Sequence, residues 1–158
     1  MKSLATVFGL QAVLMWVVSW PVQAAIHAPA PAALGPLDLL GGAVFAAGLL
    51  FESVGDWQLA RFKADPANRG KVMDRGLWSW TRHPNYFGDF TVWWGLFLFA
   101  ASVGAWWTAL GPALMSFLLM RVSGKAMLER HMKRSKPGWD EYVRRTSGFF
   151  PRPPRPVT

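Results

Sequence analysis

No cysteine occurs among the 158 residues. That absence excludes a disulfide framework, an iron-sulfur cluster, c-type haem attachment and a thiol nucleophile, so any redox chemistry has to come from a bound organic cofactor. Tyrosine is also scarce, with two against ten Trp and eleven Phe, a balance that suits a lipid-facing surface where apolar rings fill space without needing hydrogen-bond partners. Charge is the third shortage. Charged residues make up 16% of the chain, against roughly 25% in an ordinary soluble domain, while the apolar share of 52% excludes disorder except at the ends.

The formal net charge of +8 would suggest a nucleic-acid partner in a soluble protein, but the placement of the charges excludes that partner. No charged side chain lies between Ser3 and Leu37, from Leu39 to Phe51, or from Phe90 to Met120. Every Lys and Arg falls at Lys2, between Arg61 and Arg82, or after Met120. A helix crossing the roughly 30 Å hydrocarbon core needs about 20 mostly apolar residues. These runs therefore predict an all-α integral membrane bundle of about four transmembrane helices, over 4–25, 37–56, 86–101 and 106–120, in one membrane domain, 1–151. Pro29, Pro31 and Pro36 mark the first turn, and Gly104 lies in a tight turn between the last two spans. A cleavable secretory signal also combines a basic start, an apolar run and small residues such as Val22-Gln23-Ala24; the length of the run and Trp16 and Trp20 favour a span. The basic segments lie on one side, so the positive-inside rule predicts a multi-pass inner-membrane protein with both termini cytoplasmic. Residues 57–84 and 121–158 form a basic cytoplasmic cap, of which 152–158 is an extended Pro/Arg-rich tail.

Within the cap, Asp65-Pro66 ends the helical extension of the second span, Asn68-Arg69-Gly70 is a turn, and Leu77-Trp78-Ser79-Trp80 reads as an interfacial segment. Three clusters could carry chemistry. The first is Arg82-His83-Pro84-Asn85-Tyr86-Phe87-Gly88-Asp89: Pro84 suits the first position of a helix, whose free N-H groups and positive dipole end lie beside Arg82 and His83. Asn85 and Asp89 share a face one turn apart, and an ionisable Asp89 opening an uncharged span suggests function. The second cluster, Glu52, Asp56, Gln58, Arg61 and Lys63, ends the second span, where cations also complement a helix dipole. The third is Glu129, His131, Trp139, Asp140, Glu141, Tyr142, Arg144 and Arg145. The surrounding basic helix alone would be a membrane-surface element. Metal binding is not expected, since His27, His83 and His131 form no ligand-spaced pair. No nucleophile elbow, P-loop or dinucleotide-binding glycine motif occurs.

Arg75-Gly76-Leu77-Trp78, Arg82 to Asp89 and Trp93-Trp94-Gly95, together with Pro137 to Tyr142, Arg144 to Ser147 and Phe149-Phe150-Pro151, resemble the bacterial membrane family of unassigned function grouped with the C-terminal domain of steroid 5-alpha-reductases. The resemblance implies a membrane reductase that takes NADPH in a cavity open to the cytoplasm and reduces an activated carbon-carbon double bond of a lipophilic substrate. It implies cofactor binding by Asp56, Arg61, Arg82, His83, Asn85, Asp89, Glu129, Tyr142 and Arg145, with Tyr86 or His83 as the catalytic proton donor. Asp89 stands where the steroid reductases have Glu. Further helices usually precede the segment that begins here, so a short homologue or a fragment is expected. Arg82-His83-Pro84-Asn85-Tyr86 also resembles the Arg-His-Pro-x-Tyr motif of isoprenylcysteine carboxyl methyltransferases, which implies, as the second reading, S-adenosylmethionine as the alternative cofactor. A non-catalytic membrane protein is the third reading. Oligomeric state is not legible in the residues.

Overall fold

A computed structural model describes residues 2–29, 33–122 and 125–156. Pro31 of the expected first turn and the last two residues of the tail lie outside the described residues. The described chain is all-helical, with one isolated bridge between Thr81 and Ser147 and no strand. In chain order its helices are α1 (Lys2–Val18), α2 (Trp20–His27), α3 (Pro36–Ala64), α4 (Leu77–Trp80), α5 (Pro84–Ser102), α6 (Leu110–Phe117), α7 (Lys125–Ser135) and α8 (Trp139–Arg145).

The first apolar run is not one straight helix. α1 and α2 meet at Ser19 with a 50° bend, because Pro21 brings no N-H to the ladder and its ring crowds the preceding turn. The second run gives α3, whose 29 residues span about 44 Å at 1.5 Å per residue. That exceeds a bilayer core of roughly 30 Å by about two and a half turns, so α3 carries its last residues, to Ala64, beyond the apolar stretch. Among the described helices α3 is long and apolar enough to cross a membrane, and α1 with α2 passes the same test if the bent pair is one span. The 86–101 and 106–120 segments do not pass it. Asn85, Tyr86, Asp89 and the two tryptophans Trp93 and Trp94 dilute α5, and the last segment is divided into a 3-10 turn (Trp106–Ala109), α6 and a π turn (Leu118–Val122).

The bundle is organised around α3 and α5, which run antiparallel at backbone contact. Gly41, Gly48 and Gly55, seven residues apart, are buried along α3 and face Gly95, Gly88 and Pro84 of α5. A methyl group added at Gly88 would lie 2.6 Å from the Glu52 amide nitrogen, and one at Gly48 would lie 2.7 Å from that of Val92. Small residues let two helices approach this closely, and close approach supplies the packing that holds helices together in an apolar solvent. At the far end Asp38 fastens both helices: it accepts from the Gly35 amide at 2.8 Å, capping α3, and from Ser102 Oγ at 2.6 Å, at the last turn of α5. Gly104, with φ +84°, then turns the chain towards α6.

At the other end the cap is pinned to the bundle by side chains. Trp78 on α4 donates from Nε1 to the Gly55 carbonyl at 2.9 Å, and the Leu77 amide donates to Gln58 Oε1 at 3.0 Å. Tyr142 on α8 donates to the Trp78 carbonyl at 2.6 Å. The chain α8 to α4 to α3 is therefore continuous, and Trp78, Trp139 and Tyr142 are buried in it.

Candidate functional site

The site begins where α4 hands over to α5. Thr81 is extended and His83 precedes Pro84, which opens α5 as its first residue. This places Arg82 and His83 in a short extended link, and both are buried. Neither side chain ends in water. Arg82 Nε donates to Glu129 Oε1 at 3.0 Å, and its Nη1 donates to the carbonyls of Thr146 at 2.6 Å and Val143 at 3.3 Å. His83 Nε2 lies 3.1 Å from the same Glu129 oxygen. One carboxylate from α7 thus joins two residues before α5, and Arg82 fastens α8 to them. Burial alone would push the Glu129 carboxyl up, but hydrogen bonds from His83 and Arg82 with the Arg82 charge outweigh it, holding the group below the usual carboxylate range. Burial pushes the Tyr142 hydroxyl up, so it stays a phenol donating to Trp78.

The other nitrogen of His83 is the informative atom. Nδ1 is buried and has no hydrogen-bond partner among the described residues. Because a carboxylate only accepts, Nε2 carries the proton shared with Glu129, and in the neutral ring Nδ1 presents a lone pair. An unsatisfied buried polar atom costs about 1–3 kcal/mol. His83 lines a cavity of about 610 Å³ between the end of α3, the 65–73 loop, α4, α7 and α8. Phe62, Met73, Trp78, Met132 and Trp139 give it a mainly apolar wall, while Asp65 and the cations Lys63, Arg69, Lys71 and Lys136 complete the lining. A small-molecule site has this character: an apolar hollow with few, placed polar groups.

The structure brings some of the sequence-derived residues together and separates others. Arg82, His83 and Tyr142 line the cavity, and Glu129 holds the first two. Tyr86 stacks on His83, with ring centroids 5.4 Å apart and planes 4° from parallel, and does not line the cavity. Asn85 turns its Oδ1 back to the Tyr86 amide at 3.0 Å. Asp89 lies one turn farther along α5, near Glu52 and away from the cavity wall. Asp56 is exposed, and Arg61 is exposed with its guanidinium 5.5 Å over the Trp57 ring in a separate groove. Arg145 is half-buried, pairs with Asp74 at 3.1 Å and lines a neighbouring cleft of about 600 Å³ that shares Phe62, Arg69, Lys71 and Tyr142 with the His83 cavity. The expectation that Arg61, Arg82, His83 and Arg145 bind one cofactor together is therefore corrected: Arg61 and Arg145 line two other hollows that border the 65–73 loop, Arg61 beside Trp57 and Gln58 and Arg145 beside Asp74. The side chain of His131 lies outside the described set. Met73, Met132 and the 65–73 loop are wall elements the residue clusters had not included; nothing in their spacing marks them, since tertiary folding brings the loop over the end of α3. No group of three or more acidic or histidine side chains among the described residues could hold a metal ion.

A family model described as "Protein of unknown function (DUF1295)" matches residues 1–146. The chain is 35% identical over 118 residues to the "Probable O-methyltransferase ustE" of Ustilaginoidea virens, an alignment that covers 74% of this chain and 36% of that protein. The chain thus spans about a third of the length of the curated relative it matches. No solved structure matches.

Proposed function

Because the chain belongs to the DUF1295 family, which is related to the superfamily of steroid 5-alpha-reductases and isoprenylcysteine methyltransferases, we propose that it is a membrane enzyme of that superfamily which methylates a lipophilic acceptor with S-adenosylmethionine. The observation that carries this reading is the 610 Å³ cavity lined by His83, whose buried Nδ1 has no partner among the described residues. Its residues fit the cofactor. Aromatic faces of Trp78 and Trp139 with the Asp65 carboxylate suit a cationic sulfonium and ammonium, Lys71 and Lys136 suit the carboxylate, and Phe62, Met73 and Met132 suit a planar base. S-adenosylmethionine supplies an electrophilic methyl group when bound. The methyltransferase name of the relative in Ustilaginoidea virens favours the same cofactor.

The residues of the chain do the rest. Glu129 fixes the tautomer and tilt of His83, so that Nδ1 is left as the acceptor for a hydrogen bond, or for the proton released by a hydroxyl acceptor, once a ligand displaces the side chains that bury it. Arg82 keeps Glu129 ionised and in place. The stacked Tyr86 ring closes the face of the imidazole away from water. A bundle of four spans, cytoplasmic at the cap, would present this cavity at the headgroup level, where a lipophilic acceptor resides. Apolar side chains on α1 and α3, including Phe8, Met15, Leu39 and Leu50, are exposed as a lipid-facing surface requires.

A second reading, NADPH-dependent reduction, is favoured by one observation: Lys63, Arg69, Lys71 and Lys136 line the same cavity and could meet phosphates. Against it, Arg82 and Arg145 are already engaged by carboxylates. Membranes containing the chain, incubated with methyl-tritiated S-adenosylmethionine and with tritiated NADPH in the presence of a total lipid extract, separate the two. Label entering the organic phase from the methyl donor is the expected result. Label entering from NADPH alone would replace methyl transfer with reduction.

A further inference from the structure

A second polar hollow lies on the opposite side of Arg82. After α8 the chain does not trail away but crosses the base of the bundle as a strap. The Arg82 amide donates to the Ser147 carbonyl at 2.9 Å, Thr81 Oγ1 to the Phe149 carbonyl at 2.7 Å, the Arg152 amide to the Trp80 carbonyl at 3.0 Å and the Arg155 amide to the Arg145 carbonyl at 3.0 Å. These bonds fold the strap around a cleft of about 280 Å³ that is lined by Arg144, Arg145, Arg152 and Arg155, with Ser147 and Gly148 at its floor. Arg145 is neutralised by Asp74. Among the described residues, Arg144, Arg152 and Arg155 have no carboxylate within 4.0 Å.

Three guanidinium groups beside one cleft without a counter-charge repel each other, and the backbone bonds of the strap keep the chain positions of Arg152 and Arg155 at that cleft while their exposed side chains can turn to meet a ligand. Such an arrangement is stabilised by an anion. A guanidinium presents parallel N-H groups that match the oxygens of a phosphate, and several together provide charge-assisted, multidentate recognition. The neighbourhood is also amphipathic. Phe149 is buried against Phe87 and Phe90 in the first turns of α5, while Phe150, beside the same rings, and Trp80 are about half exposed. Apolar rings that stay exposed next to an arginine cleft at the start of an apolar helix fit a ligand with a phosphate at one end and acyl chains at the other.

We propose that the Arg144, Arg152 and Arg155 cleft is a binding site for the phosphate of an anionic phospholipid, separate from the His83 cavity. The lipid's headgroup phosphate occupies the cleft and its chains run past Phe150 and Trp80. The site would fasten the strap, and through Arg82 and Thr81 the start of α5, to the membrane surface.

The test uses the full chain in a neutral detergent, with dihexanoyl phosphatidylglycerol, dihexanoyl phosphatidylcholine and inorganic phosphate as separate ligands and native mass spectrometry and thermal unfolding as readouts. The anionic lipid is expected to bind and raise the melting temperature, and the zwitterionic lipid and free phosphate to do so at least about tenfold more weakly. Arg152→Gln with Arg155→Gln, both outside the cofactor cavity, is expected to weaken the anionic lipid about tenfold or more while the unliganded melting temperature stays unchanged or rises, since the removed charges repelled each other. Should that double variant unfold, Arg144→Gln alone, on the exposed face of α8, is expected to weaken the lipid in the same direction. Equal binding of both lipids, or binding unaffected by the substitutions, would overturn the site. Free phosphate matching the anionic lipid would overturn the lipid assignment.

Discussion

Glu129 is the residue on which the cap turns, since one of its oxygens meets both Arg82 Nε and His83 Nε2. Glu129→Gln keeps the shape but leaves the buried Arg82 guanidinium without its counter-charge. It is expected to cost about 1–3 kcal/mol, read as a lower melting temperature of the detergent-solubilised chain. The same residue sets a pH dependence. Its folded pKa lies below the ordinary value of 4.5, so the stability it contributes is fully present above pH 4.5 and is lost as pH falls through the depressed folded value. Melting temperatures measured downward from pH 6 should fall more steeply in the wild type than in Glu129→Gln. Parallel profiles would remove Glu129 from the linkage. Tyr142→Phe tests a neighbouring bond: it leaves the Trp78 carbonyl without its donor and is expected to cost about 1 kcal/mol in the same assay.

At the scale of elements, the α3–α5 pair is held by glycines whose Cα atoms permit backbone contact. Gly88→Ala would push a methyl group to 2.6 Å from the Glu52 amide nitrogen, and neither backbone can yield without parting the helices. A loss of about 1–3 kcal/mol is expected. Gly9→Ala, where an added methyl meets nothing within 4 Å, should leave thermal unfolding unchanged or slightly later, because alanine favours helix. Similar losses at both positions would contradict the packing. Much at this scale was legible in the residues. Pro84 opens α5, Asp65-Pro66 ends α3, and Gly70 and Gly104 take positive φ at the turns, whereas Pro36, expected in the first turn, is the first residue of α3. The short helix α4 falls where Leu77 to Trp80 was read as interfacial. The bend at Ser19 has a local signal in Pro21 that the expectation of one straight span did not use, whereas the breaking of the last apolar run into 3-10, α and π turns has none in hydropathy, which records burial and not the path of the backbone. The glycines of α3 carried a signal in their spacing of seven, but only the facing helix gives that spacing a meaning. The candidate site divides in the same way. Arg82 and His83 stood out as a motif, and Glu129 came with the tail cluster. Their shared carboxylate oxygen, and the placing of Arg145 and Arg61 at other hollows, depend on which face each helix presents, which no local pattern specifies.

For the whole molecule, the orientation and the cofactor are the two claims that join the helices into an enzyme. The absence of native cysteine makes orientation directly measurable. A cysteine at Ala67 in the cap is expected to react with an impermeant maleimide only when the cytoplasmic side is open, and one at Val103 only from the opposite side. Labelling of both from one side would contradict the bundle reading. The cofactor claim is tested most directly by isothermal titration of the detergent-solubilised chain with S-adenosylhomocysteine, then with NADPH, in wild type and His83→Ala. The account predicts one-to-one binding of S-adenosylhomocysteine, weakened about tenfold, or about 1.4 kcal/mol, by His83→Ala in a variant that still unfolds cooperatively. Saturable binding of NADPH with no heat from S-adenosylhomocysteine, or equal affinity of both forms for it, would contradict the account.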